Sequence, residues 1–161
     1  MTLTVLVLTL VTLQRLAELV IANRNTKRLL DQGGHEVSGE HYPLIVSLHA
    51  AWLVGLWILA YDAQSNLFLL GIFLLLQAGR VWVLATLGPR WTTRIIVLPG
   101  APLVKDGPFR FVSHPNYCVV AAELLVLPLA FGLLWYGILF SILNAIMLTI
   151  RIRAENKALQ S

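Results

Sequence analysis

Four stretches of this chain, residues 3–22, 43–61, 66–87 and 134–150, stay apolar for about the ~20 residues that a helix needs to cross a bilayer. A fifth, 116–131, is shorter. Pro115 suits the first turn of a helix, and Pro128 and Gly132 mark the end or a kink. The expected fold is therefore all-α and integral to the membrane. It has five transmembrane helices in one domain, residues 1–161, with the last two joined as a tight hairpin. Composition agrees: 58% of residues are hydrophobic and 12% are charged, against roughly 25% charged in an ordinary soluble domain. With a mean hydropathy of +0.77, the surplus apolar surface has to face something other than water. The first stretch lacks a basic region before it and a small-residue cleavage site after it, so it reads as a retained span.

The basic residues fall on alternate connections. Arg24, Lys27 and Arg28 follow span one; Arg90, Arg94, Lys105 and Arg110 lie between spans three and four; Arg151, Arg153 and Lys157 follow span five. The connections around Asp62 and Gly132 carry neither Lys nor Arg. This asymmetry predicts an outside N-terminus and a cytoplasmic C-terminus, with the polar candidates for chemistry on the cytoplasmic side. Basic residues split among separate segments form no continuous patch, so nucleic acid is not an expected partner. A single cysteine, Cys118, rules out an intrachain disulfide and a thiolate metal site. No histidine pair has i,i+4 ligand spacing, so no metal is expected. Residues 88–114 are the one sizeable non-helical stretch. Thr92–Leu98 is β-branched enough for a short strand, Pro99-Gly100 is a turn, and Leu103-Val104 is placed to pair back. Such a segment at the membrane surface reads as a cap over a polar pocket.

Ionisable groups within spans are costly and are paired or functional. Asn144, Arg151 and Glu155, spaced by seven and four, share one helix face. Their simplest use is an Arg151–Glu155 surface pair; the alternative is a site shared with His114 and Tyr117 under the cap. Arg15 and Glu18 can neutralise each other at i,i+3, and Gln77 and Arg80 have the same spacing. Glu123 lies seven residues past Asn116, two turns deeper on the same face. It needs a cation from another helix, or else it stands ready as a general base. His41, Tyr42 and His49 head span two and read as interface anchors. Trp91 is a candidate for the pocket wall.

From Leu87 onward the sequence resembles the isoprenylcysteine carboxyl methyltransferase family of integral-membrane, S-adenosylmethionine-dependent methyltransferases. The residues that carry the resemblance are Leu87-Gly88 with Trp91, then Leu103-Val104-Lys105-Asp106-Gly107-Pro108-Phe109-Arg110, His114-Pro115-Asn116-Tyr117, and Arg151 with Glu155-Asn156-Lys157-Ala158-Leu159. Two positions depart from the pattern: Ser113 stands where Arg is common, and Asn156 stands at the second of two acidic positions. The resemblance implies that S-adenosylmethionine binds in about 88–161, held by Leu103, Val104, Lys105, Gly107, His114, Pro115, Asn116, Tyr117 and Glu155. The segments QRLAEL, EHYPLIVSLH and RWTTRIIVLPGAPL look like a bacterial subgroup found with type III polyketide synthases. That likeness implies O-methylation of long-chain alkylpyrones or alkylresorcinols and a functional link to such a synthase.

On this reading Arg151 orients the acceptor and Glu123 takes its proton. Glu18, Arg151 and Trp91 contact the acceptor, a lipophilic small molecule or membrane lipid that enters sideways from the bilayer. The alternative within the class is carboxyl methylation of an isoprenylcysteine, or methylation of another membrane lipid. Outside it stand a small transporter and a non-catalytic membrane subunit. A transporter would line a path through the bilayer with polar residues, whereas these gather at one end. Binding of S-adenosylmethionine separates the enzyme from both.

Overall fold

The computed structural model describes residues 2–160. Its helices are α1 (Leu3–Asp31), α2 (Tyr42–Ala60), α3 (Leu67–Leu87), α4 (Pro115–Ala130) and α5 (Leu134–Gln160). Four helical stretches are long and apolar enough to cross a membrane, and α4 is a shorter apolar helix. At 1.5 Å per residue α4 is about 24 Å long, less than the ~30 Å hydrocarbon core. Large apolar side chains such as Leu67, Phe68, Leu75 and Trp135 are more than 70% exposed, which suits a surface solvated by lipid. The protein is an integral membrane protein.

The expected first span, 3–22, proves to be only part of α1. The helix continues to Asp31, with Thr26 and Leu29 still buried beyond the apolar stretch, and Gly33, at φ +92, follows its end. Similarly α5 continues past the apolar residues to carry Arg151 and Glu155.

These extensions set up the site. Residues after α1 form a short strand, β1 (His35–Val37), which pairs antiparallel with β2 (Ile95–Val97). The strand expected within 92–98 therefore exists, but its partner is β1 and not Leu103-Val104. Arg94 reinforces the pairing: it is 3.0 Å from Glu36 Oε2, and its guanidinium lies 4.3 Å from the centre of the Tyr42 ring. The rest of 88–114 contains single 3-10 turns at Gly88–Arg90 and Gly107–Arg110.

At the opposite end the short connections tie to each other. Thr4 Oγ1 donates to the Ala63 carbonyl, and Asn66 N–H donates to the Ala130 carbonyl. The apolar core between the two ends is built from Leu8, Trp52, Leu56, Leu124, Leu127 and Phe140. Trp52 Nε1 donates to the Leu124 carbonyl, and Tyr136 OH donates to the Trp52 carbonyl, so α2, α4 and α5 are pinned at one level.

Candidate active site

Pro115 occupies the first turn of α4, where its missing N–H costs nothing. This fixes the direction in which the preceding His114 and the following Tyr117 project. Their rings stack, with centroids 5.4 Å apart and planes inclined by 22°. Tyr117 OH donates to Glu155 Oε2 at 2.9 Å, and His114 Nδ1 lies 3.7 Å from the same oxygen. Arg151 is buried one turn before Glu155. It does not pair with Glu155: its Nη2 donates to the Thr93 carbonyl at 2.8 Å, next to β2, and its guanidinium sits 6.0 Å from the Tyr117 ring centre. The surface-pair reading of Arg151 and Glu155 is thus replaced by two contacts to other elements. Glu155 Oε1 accepts no hydrogen bond among the described residues.

A second polar cluster lies deeper. Arg80 grips Glu18 with two prongs, Nε to Oε1 and Nη2 to Oε2, both 2.6 Å, and its Nη1 reaches Glu123 Oε2 at 3.1 Å. Arg15 donates to Glu18 at 3.2 Å and to Glu123 at 2.7 Å. Gln14 and Gln77 complete the set, donating to Glu18 Oε1 and Glu123 Oε1. Two cations face two anions, and all four carboxylate oxygens are engaged. The cluster joins α1, α3 and α4. Each ion pays for leaving water only through such pairing.

One cavity of about 1120 Å³ connects both clusters. Ligand clefts commonly measure about 300–1,000 Å³, so this one has room for more than a single small molecule. Leu103, Val104, Lys105, His114, Pro115, Asn116, Tyr117, Glu155, Arg151 and Trp91 all line it. Three expected site residues do not. Gly107 turns away at φ +55, and a methyl group built on it would stand 2.5 Å from Thr86 Oγ1. It packs the 3-10 turn against α3.

Glu18 and Glu123 are also absent from the wall, where Arg15 and Arg80 stand instead. Glu123 is fully buried, with two guanidinium groups on Oε2 and the Gln77 amide on Oε1, so it has the cross-helix cations that the sequence left open. The residues that sequence reasoning missed at the wall are Arg15, Arg80, Thr93 and His49. In the sequence the two arginines have obvious local partners, Glu18 and Gln77, and nothing marks them as cavity residues. Among the described residues no group of three or more His, Cys, Asp or Glu could hold a metal ion.

Comparison with known proteins supplies the rest. Across 160 aligned residues, covering 96% of this chain and 95% of the relative, the sequence is 41% identical to the uncharacterized protein YpbQ of Bacillus subtilis (strain 168). It is 25% identical over 152 residues, 90% of this chain and 88% of the relative, to an uncharacterized protein of Haemophilus influenzae. No solved structure matches it significantly. Residues 69–161, which include β2, the His-Pro-Asn-Tyr turn and α5, match the isoprenylcysteine carboxyl methyltransferase family. The chain belongs to that family, and is therefore a membrane methyltransferase of the S-adenosylmethionine-dependent kind.

Proposed function

We propose that the protein methylates a hydroxyl of an aromatic or pyrone ring that bears a long alkyl chain. The observation that carries this reading is the single cavity spanning both clusters. Leu16, Val46 and Ala50 belong to its wall and are also exposed on the outer faces of α1 and α2. A sideways opening there suits an acceptor dissolved in lipid.

The His114–Tyr117–Glu155 end suits S-adenosylmethionine. Asn116 Oδ1 and Trp91 Nε1 are buried at the wall without partners among the described residues. The backbone of Leu103–Lys105 makes no hydrogen bond there either. Buried orphans such as Asn116 Oδ1 and Trp91 Nε1 are rare and call for a ligand. The free oxygen of Glu155 fits an ammonium, and the unpaired backbone of Leu103–Lys105 fits the edge of an adenine. When bound, the cofactor supplies an electrophilic methyl group on a sulfonium. What the chain contributes is alignment and exclusion of water. Arg151, fixed by Thr93, orients the acceptor.

The segments that resemble the polyketide-associated subgroup contribute Arg15, Tyr42, His49, Trp91 and Arg94 to the cavity wall. This favours the alkylpyrone or alkylresorcinol class as acceptor, with a type III polyketide synthase as its source. We further propose that α4 crosses the membrane as a fifth span beneath residues 88–114, which act as the cap. The basic segments then lie in the cytoplasm and the N-terminus outside.

A second reading has its own support. The guanidinium groups of Arg15 and Arg80 at the wall also suit the carboxylate of a prenylcysteine. Purified protein offered an alkylresorcinol, an alkylpyrone and a farnesylcysteine analogue separates the two. Methyl ether formation on a hydroxyl acceptor is expected. Methyl ester on the farnesylcysteine alone would restore the family's namesake activity.

A further inference from the structure

We propose that His49 is the proton acceptor for the hydroxyl that is methylated, an inference that rests on the hydroxyl-acceptor reading above. A phenolic hydroxyl has a pKa near ~10 and gains from a base. Glu123 is fully buried and does not line the cavity, its carboxylate held by Arg15, Arg80 and Gln77. Among the described residues the imidazoles and carboxylates lining the cavity are His49, His114 and Glu155. The last two stand together at the cofactor end, where His114 stacks on Tyr117, Glu155 Oε2 accepts from Tyr117 and the other Glu155 oxygen is assigned to the cofactor's ammonium. That leaves His49.

Its tautomer follows from one contact. Nδ1 lies 2.8 Å from the Ile45 carbonyl oxygen. A carbonyl can only accept, so Nδ1 carries the hydrogen. In the neutral ring Nε2 then holds a lone pair, and no described residue hydrogen-bonds to it. His49 lies seven residues, about 10 Å, further along α2 than Tyr42, whose hydroxyl is 3.1 Å from Thr93 Oγ1 beside the Arg151 contact. The base thus stands on the lipid-depth side of the cofactor end. The charged groups that act on it are Arg15 from α1, Arg80 from α3 and Glu123 from α4. The arginine cations stabilise an oxyanion as it forms.

The step balances. The acceptor O–H proton moves to His49 Nε2, and the oxygen lone pair forms the new O–CH₃ bond. The C–S bond breaks with its electron pair left on sulfur, giving S-adenosylhomocysteine. The imidazolium then releases its proton to water at the cavity mouth.

The experiment uses the full chain in detergent or nanodiscs, with His49→Phe and His49→Gln. Turnover on an alkylresorcinol should fall about 10²–10⁴-fold, while affinity for S-adenosylhomocysteine stays the same. The deficit should shrink on an alkylphenol made acidic by a nitro group, because that acceptor is already ionised. A structural role would lower both acceptors alike. Equal losses on both, or wild-type turnover in either variant, would overturn the proposal for His49 while leaving the hydroxyl reading intact. A wild-type enzyme that methylates no hydroxyl acceptor would overturn both.

Discussion

Arg80→Met is expected to destabilise the folded protein by about 3–5 kcal/mol, the usual cost of removing one partner from a buried ion pair. The change strips Glu18 of both prongs of its guanidinium and Glu123 of one donor. One cation, Arg15, then faces two buried carboxylates. Arg80→Lys should recover only part of the loss, because a single ammonium cannot span the two Glu18 oxygens as a planar fork does. The more revealing variant is the double change Glu18→Leu with Arg80→Met. It leaves Arg15 opposite Glu123, charge-balanced, and should cost less than Arg80→Met alone. Thermal unfolding in detergent reads all three. An Arg80→Met protein that melts like wild type, or a double variant less stable than the single, would show that the cluster does not hold α1, α3 and α4 together.

Glu155→Ala is expected to weaken binding of S-adenosylhomocysteine by roughly 30-fold or more. Removing one partner of a hydrogen-bonded charge pair costs about 2–5 kcal/mol, and each 1.4 kcal/mol is about tenfold. The lower part of that range applies because the Glu155 side chain is 30% exposed. Asn156 holds the neighbouring position where a second carboxylate would share the load, so nothing replaces it. Glu155→Gln can still accept from Tyr117 and isolates the charge itself. Calorimetric titration of folded variants is the check. Unchanged affinity in Glu155→Ala would remove this residue from the cofactor site.

Much of this arrangement was legible in the residues because a bilayer imposes simple rules. Helix positions followed from runs of apolar residues, and Arg15, Glu18, Arg80 and Glu123 stood out as charges where charges are expensive. Their partnership was not legible. Glu18 and Arg80 are 62 residues apart, and Arg15 and Glu123 are 108 apart. Either glutamate read alone could serve a substrate as well as another helix.

The β1–β2 pairing was missed for a related reason. Three residues, His35–Val37, carry no usable alternation, whereas the Pro99-Gly100 turn points to Leu103-Val104 as the partner. Those two residues instead keep their backbone unpaired at the cavity wall. The resemblance places Gly107 among the cofactor residues, while the structure shows a separate need for glycine there, a positive φ and a close approach to Thr86. His49 looked like an interface anchor because its meaning depends on the Ile45 contact and on a cavity that only three-dimensional packing creates.

The central claim is that one cavity brings S-adenosylmethionine to a lipophilic acceptor. Its most direct test is transfer of a labelled methyl group from S-adenosylmethionine, catalysed by the purified protein, into acceptors supplied within lipid vesicles. The account predicts label in an organic-soluble product, resistant to mild base as an ether is, and reduced roughly 30-fold in Glu155→Ala when the cofactor is kept below saturation. Wild-type protein that binds the cofactor yet transfers no label to any vesicle-borne acceptor would contradict it.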